Sequence, residues 1–299
     1  MRLTVLGGGF GLYGYMPALF KSSHFTVMLP IRYQEKISAR HDIAHFYNRI
    51  EWVNSDEACL EGCQGVIIAL PPTQQSIWVK KCLSYSGISH FLLEKPAATT
   101  PILASDLIND LKKSGKNFRI AYNFRYTDWG KAILHHAMGV ESITWNFQAH
   151  HYDKNIKVWK RQHQEGGGAL RFYGIHLIAF LAELGYSDVS YSEIKAREDN
   201  EAEIWHAKLI GADLPPCTLT VNSHNKDAQF VIKASNGQSY SFLHPFQSIQ
   251  QQTNLNGMDQ RIPFLMESIS DLFFNEKNYH PWYGQANLLW NKIEQRTLF

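Results

Sequence analysis

A glycine-rich turn near the N-terminus is the feature that most constrains how this chain can fold. The segment Leu6-Gly-Gly-Gly-Phe-Gly-Leu-Tyr-Gly14 follows a short apolar strand at Leu3–Leu6 and precedes a helical pattern that reaches Lys21. Glycines allow a tight turn and a close approach of the backbone to a diphosphate, and the N-terminus of the following helix supplies free N–H groups. This strand–turn–helix arrangement predicts a dinucleotide-binding Rossmann domain at the start of the chain.

The glycines allow two registers of the G-x-G-x-x-G pattern. The register Gly7-x-Gly9-x-x-Leu12 puts the turn directly after the strand, as the geometry of the motif prefers. The register Gly9-x-Gly11-x-x-Gly14 matches the bare pattern. Both stay open at this point. The residues of the turn that are expected to line the cofactor are Gly7, Gly9, Phe10, Gly11 and Leu12.

The first 122 residues alternate between strand-like and helix-like runs. Because the strands lack polar alternation and are separated by helices, they predict a parallel sheet that is buried on both faces. In such a doubly wound sheet the ligand crevice lies at the carboxyl ends of the strands. The further strands are predicted at Phe25–Leu29, Gly65–Leu70, His90–Leu93 and Arg119–Tyr122, and helices at Ile77–Leu83 and Pro101–Lys113.

The pattern changes after Asn123. One helix is predicted from Ala169 to Leu184, and the tail from Phe264 onward is mostly helical. The other runs are strands that turn-forming pieces such as Asn236-Gly237 separate, which is typical of antiparallel hairpins. The fold class is therefore α/β, with a Rossmann domain over residues 1–122 and an α+β domain with a large, mainly antiparallel open sheet over residues 123–299. The predicted strands of this second domain are Ser142–His150, Glu203–Ile210, Thr218–Asn222, Phe230–Ala234 and Tyr240–Leu243.

The end of the second strand bears on which dinucleotide binds. An acidic residue there would accept a hydrogen bond from the ribose 2′-hydroxyl of NAD. The segment from Met28 to Gln34 contains no acid, but it contains Arg32, whose guanidinium suits a 2′-phosphate. The alternative is that Arg32 is an ordinary solvated charge. The sequence favours NADP and leaves NAD open.

Four segments in order along the chain carry a resemblance to a known family. Together they resemble the glucose–fructose oxidoreductase / inositol dehydrogenase family (Gfo/Idh/MocA), and each motif alone would be weak. The resemblance covers nearly the whole chain. The segments are Ile67-Ile-Ala-Leu-Pro71-Pro72, Leu93-Glu94-Lys95-Pro96-Ala97, Asn123-Phe-Arg125-Tyr126 and Gly166-Gly-Gly-Ala-Leu-Arg-Phe172-Tyr-Gly174-Ile-His176.

The resemblance implies hydride transfer between nicotinamide and a small polar substrate: a sugar, a cyclitol, a sugar derivative or an imine. It makes Lys95 and His176 the residues that handle the proton, with Pro96 fixing the turn that aims Lys95, through a cis peptide bond. It also implies a homodimer or homotetramer formed through the C-terminal sheet. The further cofactor-binding residues are Leu70, Pro71, Glu94 and Lys95, and the substrate-binding residues are Lys95, Asn123, Arg125, Trp159, Arg161, Tyr173 and His176.

Several positions depart from the family's pattern. The aspartate four residues before His176 is Phe172, and a second frequent aspartate is Ala179. The family's histidine in the first helix corresponds to Tyr15, and the histidine after the Pro-Pro turn to Gln74 or Gln75. Losing the aspartate removes a carboxylate that assists proton transfer in relatives, so a catalytically degenerate dinucleotide-binding sensor or scaffold is the alternative function. Replacement proton donors would be Tyr173, Tyr126 or Tyr152.

Composition excludes several other classes of function. A net charge of +2 with scattered basic residues gives no footprint for nucleic acid. No run approaches the roughly 18 apolar residues of a membrane span. Four cysteines without a paired spacing indicate reduced thiols, and the N-terminal strand without a leader indicates a cytoplasmic protein. The fourteen histidines show no metal-ligand spacing, so no metal is expected.

Overall fold

A computed structural model of the chain describes residues 1–22, 24–196, 198, 200–247 and 259–298. Its described residues form two compact units. The first unit takes its residues from Met1–Ala97, Asn109–Asn123 and Gln250–His280, and the second from Ala98–Ile108, Phe124–Ile249 and Pro281–Phe299. The chain passes from the first unit to the second between Asn123 and Phe124, beside the predicted boundary. Two other segments depart from a single division, since Ala98–Ile108 belongs to the second unit and Gln250–His280 to the first. The single cut at residue 122 stays a prediction.

The described helices, in chain order, are α1 (Met16–Phe20), α2 (Gln34–Ser38), α3 (Asp56–Gly62), α4 (Pro72–Leu83), α5 (Pro101–Lys113), α6 (Asp128–His135), α7 (His150–Asp153), α8 (Ile175–Leu184), α9 (Ile262–Phe274) and α10 (Tyr283–Arg296). Wider π-helical turns lead into two of them, at Gly11–Tyr15 before α1 and at Ala169–Gly174 before α8. The amphipathic helix predicted over Pro101–Lys113 is observed with those bounds.

The first unit contains a six-stranded, fully parallel sheet in the order β3-β2-β1-β4-β5-β6. This strand order is that of the Rossmann fold, and the prediction of a doubly wound parallel sheet is confirmed. The strand β5 has the predicted bounds. The strand β3 was not predicted, because most of its residues are only half-buried. The strands are β1 (Arg2–Leu6), β2 (Thr26–Pro30), β3 (Ile50–Val53), β4 (Gly65–Ile68), β5 (His90–Leu93) and β6 (Asn117–Ile120).

Helix α9 belongs to this first unit although it lies in the C-terminal half of the sequence. Its apolar residues Ile262, Leu265, Ile269 and Leu272 join the core that β1 and α1 form. The side chain of Arg119 on β6 is completely buried and donates hydrogen bonds to the Asp271 carboxylate at 2.6 Å and to the backbone oxygens of Asp271 and Lys277. This ion pair ties α9 to the far edge of the sheet.

The second unit contains a seven-stranded sheet in the order β12-β11-β7-β10-β9-β8-β13. Only β7 with β10 and β8 with β13 pair in parallel, so the predicted large, mainly antiparallel sheet is confirmed. Helices α8 and α10 pack against each other and against β8. The strands are β7 (Val140–Gln148), β8 (Tyr186–Lys195), β9 (Ile204–Gly211), β10 (Cys217–Asn222), β11 (His224–Ala234), β12 (Ser239–Phe242) and β13 (Thr297–Leu298).

Strand β8 is the main element that the sequence did not predict. Its register against β9 shifts twice, between Tyr186 and Asp188 and between Val189 and Tyr191. Each bulge inserts one residue and breaks the alternation of buried and exposed side chains. A strand with interrupted alternation and three serines does not stand out as a period-two pattern. The predicted Asn236-Gly237 turn joins β11 to β12, with Gly237 at a φ of +85°.

The four cysteines are buried free thiols, as predicted. No helix in the described part of the chain has the length and apolar character needed to cross a membrane.

Candidate cofactor and substrate sites

The glycine turn after β1 has a geometry that distinguishes its two possible registers. Gly7 has a φ of +130°, and a Cβ placed on it would lie 2.3 Å from the backbone oxygen of Ala69. A Cβ on Gly9 would have no atom within 4 Å, so the space above this residue is open for a ligand. Gly7 therefore makes the tight turn and Gly9 leaves room for a close approach, which favours the register that begins at Gly7.

Two of the remaining residues of the turn, Gly11 and Leu12, are buried. Leu12, at the third position of this register, is buried. A Cβ on Gly11 would lie 2.8 Å from a side-chain carbon of Val5 on β1, so Gly11 lets the helix pack close to the strand. Phe10, directly after Gly9, is half-buried.

Arg32, after the end of β2, does not project freely into solvent. Its guanidinium pairs with both carboxylate oxygens of Asp56, with Nη2 2.7 Å from Oδ1, and stacks over the ring of Tyr33. Asp56 is fixed in the first turn of α3, where the Ser55 hydroxyl caps the helix by accepting from the Ala58 N–H at 3.2 Å. Part of the hydrogen-bonding capacity of Arg32 is therefore already used within the unit.

Lys36 lies one helical turn after Arg32, beside the glycine turn. Its Nζ is 3.2 Å from the position that a Cβ on Gly8 would occupy. Among the described residues no ion pair or hydrogen bond engages Lys36, which is exposed. This lysine is not among the residues predicted from the sequence, although it lies only four residues after Arg32.

The Glu94-Lys95-Pro96 segment follows the buried strand β5 and is held by two side chains. The Lys95–Pro96 peptide bond is cis, as predicted. The buried amide of Gln75 on α4 donates to the backbone oxygens of Glu94 at 2.7 Å and of Pro96 and Ala97 at 3.0 Å each. Gln75, not Gln74, thus occupies the structural position behind this turn. Leu70 and Pro71 form the connection from β4 to α4, next to the same edge of the sheet.

Tyr15 is the second side chain that fixes this segment. Its hydroxyl donates to Glu94 Oε1 at 2.6 Å, while Glu94 Oε2 accepts from the backbone N–H of Lys95 at 3.1 Å. Burial and, secondarily, the charge of Glu94 raise the pKa of Tyr15 well above its ordinary value, so the phenol stays a donor. Asn123 is buried beside it, and within the described chain its side-chain oxygen accepts no hydrogen bond. This acceptor is available to a ligand.

In the second unit, the glycine run brings the Trp159–Arg161 segment against the turn before α8. A Cβ on Gly167 would lie 2.2 Å from the backbone oxygen of Trp159, so only glycine permits this packing. The ring of Trp159 meets the edge of Phe172 at 5.2 Å, and Phe172 in turn contacts Tyr173 at 4.8 Å. The two predicted substrate-binding residues Trp159 and Tyr173 therefore belong to one half-buried aromatic group.

His176 is the second residue of α8 and is buried. Its ring stacks on Phe124 with the centroids 4.6 Å apart and the planes at 17°. Phe172 and Tyr173 lie in the π-helical turn that leads into α8, four and three residues before His176. Phe172, where the sequence resemblance would place an aspartate, is an aromatic ring that packs on Trp159.

The two predicted substrate-binding arginines already have carboxylate partners. Arg125 binds Glu183 on α8 through two nitrogens, at 2.8 and 3.0 Å from its oxygens. Arg161 binds Glu201 at 2.7 Å and lies over the ring of Tyr152. The Arg125 pair is half-buried and the Arg161 pair is buried, and breaking a buried pair is costly because one partner is left as an uncompensated charge. Neither arginine is a free cation for an anionic substrate.

His151, next to Tyr152, is neutral at physiological pH. Burial and then the nearby Lys160 and Arg161 charges lower its pKa to about 4. Burial also raises the pKa of Tyr152, so its phenol stays protonated at physiological pH. No group of His, Cys, Asp and Glu in the part of the chain that the structure describes is arranged to hold a metal ion.

Solved structures share this architecture over the full length of the chain. A 3-ketoreductase, KijD10 from Actinomadura kijaniata, in complex with NADP and TDP-benzene, is 17% identical with a TM-score of 0.70, covering 99% of this chain and 98% of that one. The chain has the Gfo/Idh/MocA fold. No protein-family model and no curated protein sequence matches it.

Two further structures support the same assignment of the fold. The WlbA dehydrogenase from Bordetella pertussis, in complex with NADH and UDP-GlcNAcA, is 15% identical with a TM-score of 0.67, covering 96% of this chain and 84% of that one. The aldose-aldose oxidoreductase from Caulobacter crescentus, complexed with glycerol, is 13% identical with a TM-score of 0.69, covering 99% and 98%. These neighbours thus include proteins crystallised with NADP and with NADH.

Proposed function

We propose that this chain is an NAD(P)-dependent oxidoreductase that transfers a hydride between nicotinamide and a small polar substrate: a sugar, a cyclitol, a sugar derivative or an imine. The observation that carries the proposal is the turn at Gly7 and Gly9, which leaves open space above Gly9 at the carboxyl end of β1 in a Rossmann sheet. Two solved structures with the same fold support it, because one is a 3-ketoreductase crystallised with NADP and the other a dehydrogenase crystallised with NADH.

Lys95 is proposed to donate the proton to the oxygen of the reduced substrate and to accept it in the reverse direction. It follows the buried strand β5, and the hydrogen bonds from Gln75 and Tyr15 fix the turn on which it lies. Bound nicotinamide supplies or accepts the hydride. His176 is proposed to hold the reacting oxygen, and its ring plane is set by the stack on Phe124.

NADP is the proposed cofactor. The end of β2 carries no acid that would accept from a ribose 2′-hydroxyl, whereas Arg32 and Lys36 both follow it. Lys36 has no described partner of opposite charge, so a 2′-phosphate beside the turn would be its counter-ion. Arg32 can contribute its remaining N–H groups while it stays paired with Asp56.

The test is a fluorescence titration of the purified protein with NADPH and with NADH. We expect saturable binding of NADPH that is tighter than that of NADH, followed by turnover when keto sugars or their amino derivatives are supplied. Binding of neither dinucleotide would refute the proposed function. Tighter binding of NADH would refute the NADP assignment alone.

One observation favours a second function, that of a cofactor-binding sensor or scaffold without catalysis. Phe172 replaces the carboxylate that assists proton transfer in the family, and its ring packs on Trp159 and Tyr173. The variant Lys95→Met separates the two functions. An enzyme would lose turnover and keep cofactor binding, whereas a sensor would perform its cellular role unchanged.

A homodimer or homotetramer formed through the C-terminal sheet is also proposed. One row across this sheet pairs Thr144 with Thr220, Thr220 with His206, and His206 with Glu193, and these side chains are half-buried. A polar sheet face can be covered by a second copy through hydrogen bonds across the interface. Light scattering that gave a monomer at micromolar concentration would refute this.

The four free thiols are consistent with the proposed cytoplasmic location.

A further inference from the structure

Arg261 brings a positive charge to the glycine turn from the distant end of the first unit. It immediately precedes α9, and its guanidinium carbon lies 3.9 Å above the centre of the Phe10 ring. Phe10 is the residue after Gly9, above which the space is open. The arginine is therefore stacked on the residue that borders the space where the proposed function puts the diphosphate of the dinucleotide.

The guanidinium is held in one orientation by Asp259. Its Nε donates to Asp259 Oδ1 at 2.9 Å and its Nη2 to Oδ2 at 2.7 Å. The other terminal nitrogen, Nη1, makes no hydrogen bond with a residue that the structure describes. A guanidinium with one edge bound and one edge unused is pre-organised to donate two N–H groups to an anion.

Other charges near the turn show why an anionic ligand would be favourable there. Burial alone would lower the pKa of Arg261, but the hydrogen bond and charge of Asp259 raise it, with smaller contributions from Tyr13 and Glu94. The group is therefore a permanent cation near both the turn and the Glu94-Lys95 segment. A diphosphate brings about two negative charges, which the turn's backbone N–H groups would otherwise balance alone.

We propose that Arg261 is a cofactor-binding residue, whose Nη1 donates to an oxygen of the dinucleotide's diphosphate while its plane rests on Phe10. The inference deepens the proposed function and rests on it. It also assigns to the segment before α9 a direct part in binding, which neither the glycine motif nor the family motifs include. The competing explanation is structural: Arg261 would only anchor α9 to Phe10.

The two explanations predict different effects of removing Arg261 on the affinity for fragments of the cofactor. The fragment 2′-phospho-ADP-ribose contains the diphosphate, whereas adenosine 2′-monophosphate lacks it. We expect Arg261→Met to weaken binding of NADPH and of 2′-phospho-ADP-ribose by roughly 10- to 100-fold, the value of a hydrogen bond to a charged group. Binding of adenosine 2′-monophosphate should stay within about twofold of the wild type.

Arg49→Met is the matched control. Arg49 also stacks on an aromatic ring of the first unit, 4.6 Å above Phe20, and donates to a backbone oxygen, but it lies away from the turn. This variant should leave the affinity for all three ligands unchanged. Isothermal titration calorimetry of each purified full-length protein measures these affinities directly.

Equal losses for both fragments, or no loss for either, would overturn the inference in favour of the structural role. If Arg261→Met does not fold, Arg261→Lys replaces it, since lysine keeps the cation over Phe10 and loses the planar donor edge. The same selective loss, of smaller size, supports the inference, and a uniform effect overturns it. A wild-type protein that binds neither fragment nor NADPH refutes the proposed function itself, which is a separate result.

Discussion

The hydroxyl of Tyr15 donates a 2.6 Å hydrogen bond to the carboxylate of Glu94, at the position where the family has a histidine. The bond joins the first helix of the Rossmann unit to the segment that carries Lys95. The other oxygen of Glu94 accepts from the backbone N–H of Lys95. One carboxylate therefore joins the turn before α1, which carries Tyr15, to the proposed catalytic residue Lys95. A phenol that remains protonated is an uncharged donor across physiological pH, whereas a histidine changes its charge in that range.

Replacing Tyr15 by phenylalanine removes this donor, so the half-buried Glu94 Oε1 loses its hydrogen bond from the hydroxyl. We expect the free energy of unfolding to fall by about 1–3 kcal/mol, as for other unsatisfied buried groups, and cofactor binding to weaken as Glu94 shifts. Urea denaturation and NADPH titration measure the two effects. Tyr13→Phe is the matched control, because Tyr13 lies two residues away and packs on Phe10 through its ring. Equal behaviour of the two variants would contradict the assigned role of Tyr15.

Charge reversal at Lys36 tests the cofactor preference. Lys36→Glu should weaken NADPH binding by roughly 10-fold or more and leave NADH binding nearly unchanged, since only NADPH carries the 2′-phosphate. Lys21→Glu reverses a charge at the other end of the first helix and serves as the control. If both dinucleotides weaken equally, Lys36 contacts the diphosphate or acts through the turn instead. If neither changes, the lysine has no part in binding.

Breaking the ion pair of Arg119 and Asp271 should strongly destabilise the first unit, because the Arg119 side chain is completely buried. Removing one member of a buried pair leaves an uncompensated charge, which costs about 3–5 kcal/mol. Arg119→Met is therefore expected to shift the urea midpoint strongly, measured by circular dichroism. Arg40→Met, which breaks the exposed pair with Asp42, should change the free energy of unfolding by less than about 1 kcal/mol. A similar shift for both variants would show that breaking the buried pair destabilises the protein no more than breaking the exposed one.

Acid should destabilise the second unit through Glu294. Burial alone would raise the pKa of this carboxyl, but hydrogen bonds from His163 and Arg171 lower it from 4.5 to about 2. A carboxyl whose folded pKa is depressed adds stability above its unfolded pKa and loses it as the pH falls through the folded value. We expect that contribution to disappear between pH 4.5 and pH 2.

Glu294→Gln isolates this group. The variant should be less stable than the wild type at pH 7, and the difference between the two proteins should shrink as the pH falls toward 2. Thermal unfolding at several pH values measures the difference. A constant difference across the range would show that Glu294 does not titrate in that window.

The parallel sheet and the glycine turn could be predicted because their signals are local. Apolar runs such as His90–Leu93 are continuous in sequence, and Gly7 and Gly9 flank one turn. The strand β8 could not, because its bulges interrupt the alternation on which strand prediction depends. The cis peptide bond at Lys95–Pro96 followed from the family's motif and not from any pattern of residues.

The polar partners of these side chains could not be predicted from the sequence for a different reason. Asp56 and Arg32 are 24 residues apart, and Arg119 and Asp271 are 152 apart, so no spacing rule relates them. Arg32 was correctly noticed as a cation at the end of β2, but its carboxylate partner was invisible. Lys36 has a local signal, since it follows Arg32 by four residues, about one helical turn.

The contribution of α9 to the core of the first unit sets an order in which the protein can mature. During synthesis β1 to β6 leave the ribosome more than a hundred residues before Ile262, Leu265, Ile269 and Leu272, which complete their apolar core. Until then the nascent chain exposes the surface that α9 will cover, a state that chaperones recognise and that aggregates at high concentration. The Rossmann unit is thus begun first, but its core closes only after most of the second unit has been synthesised.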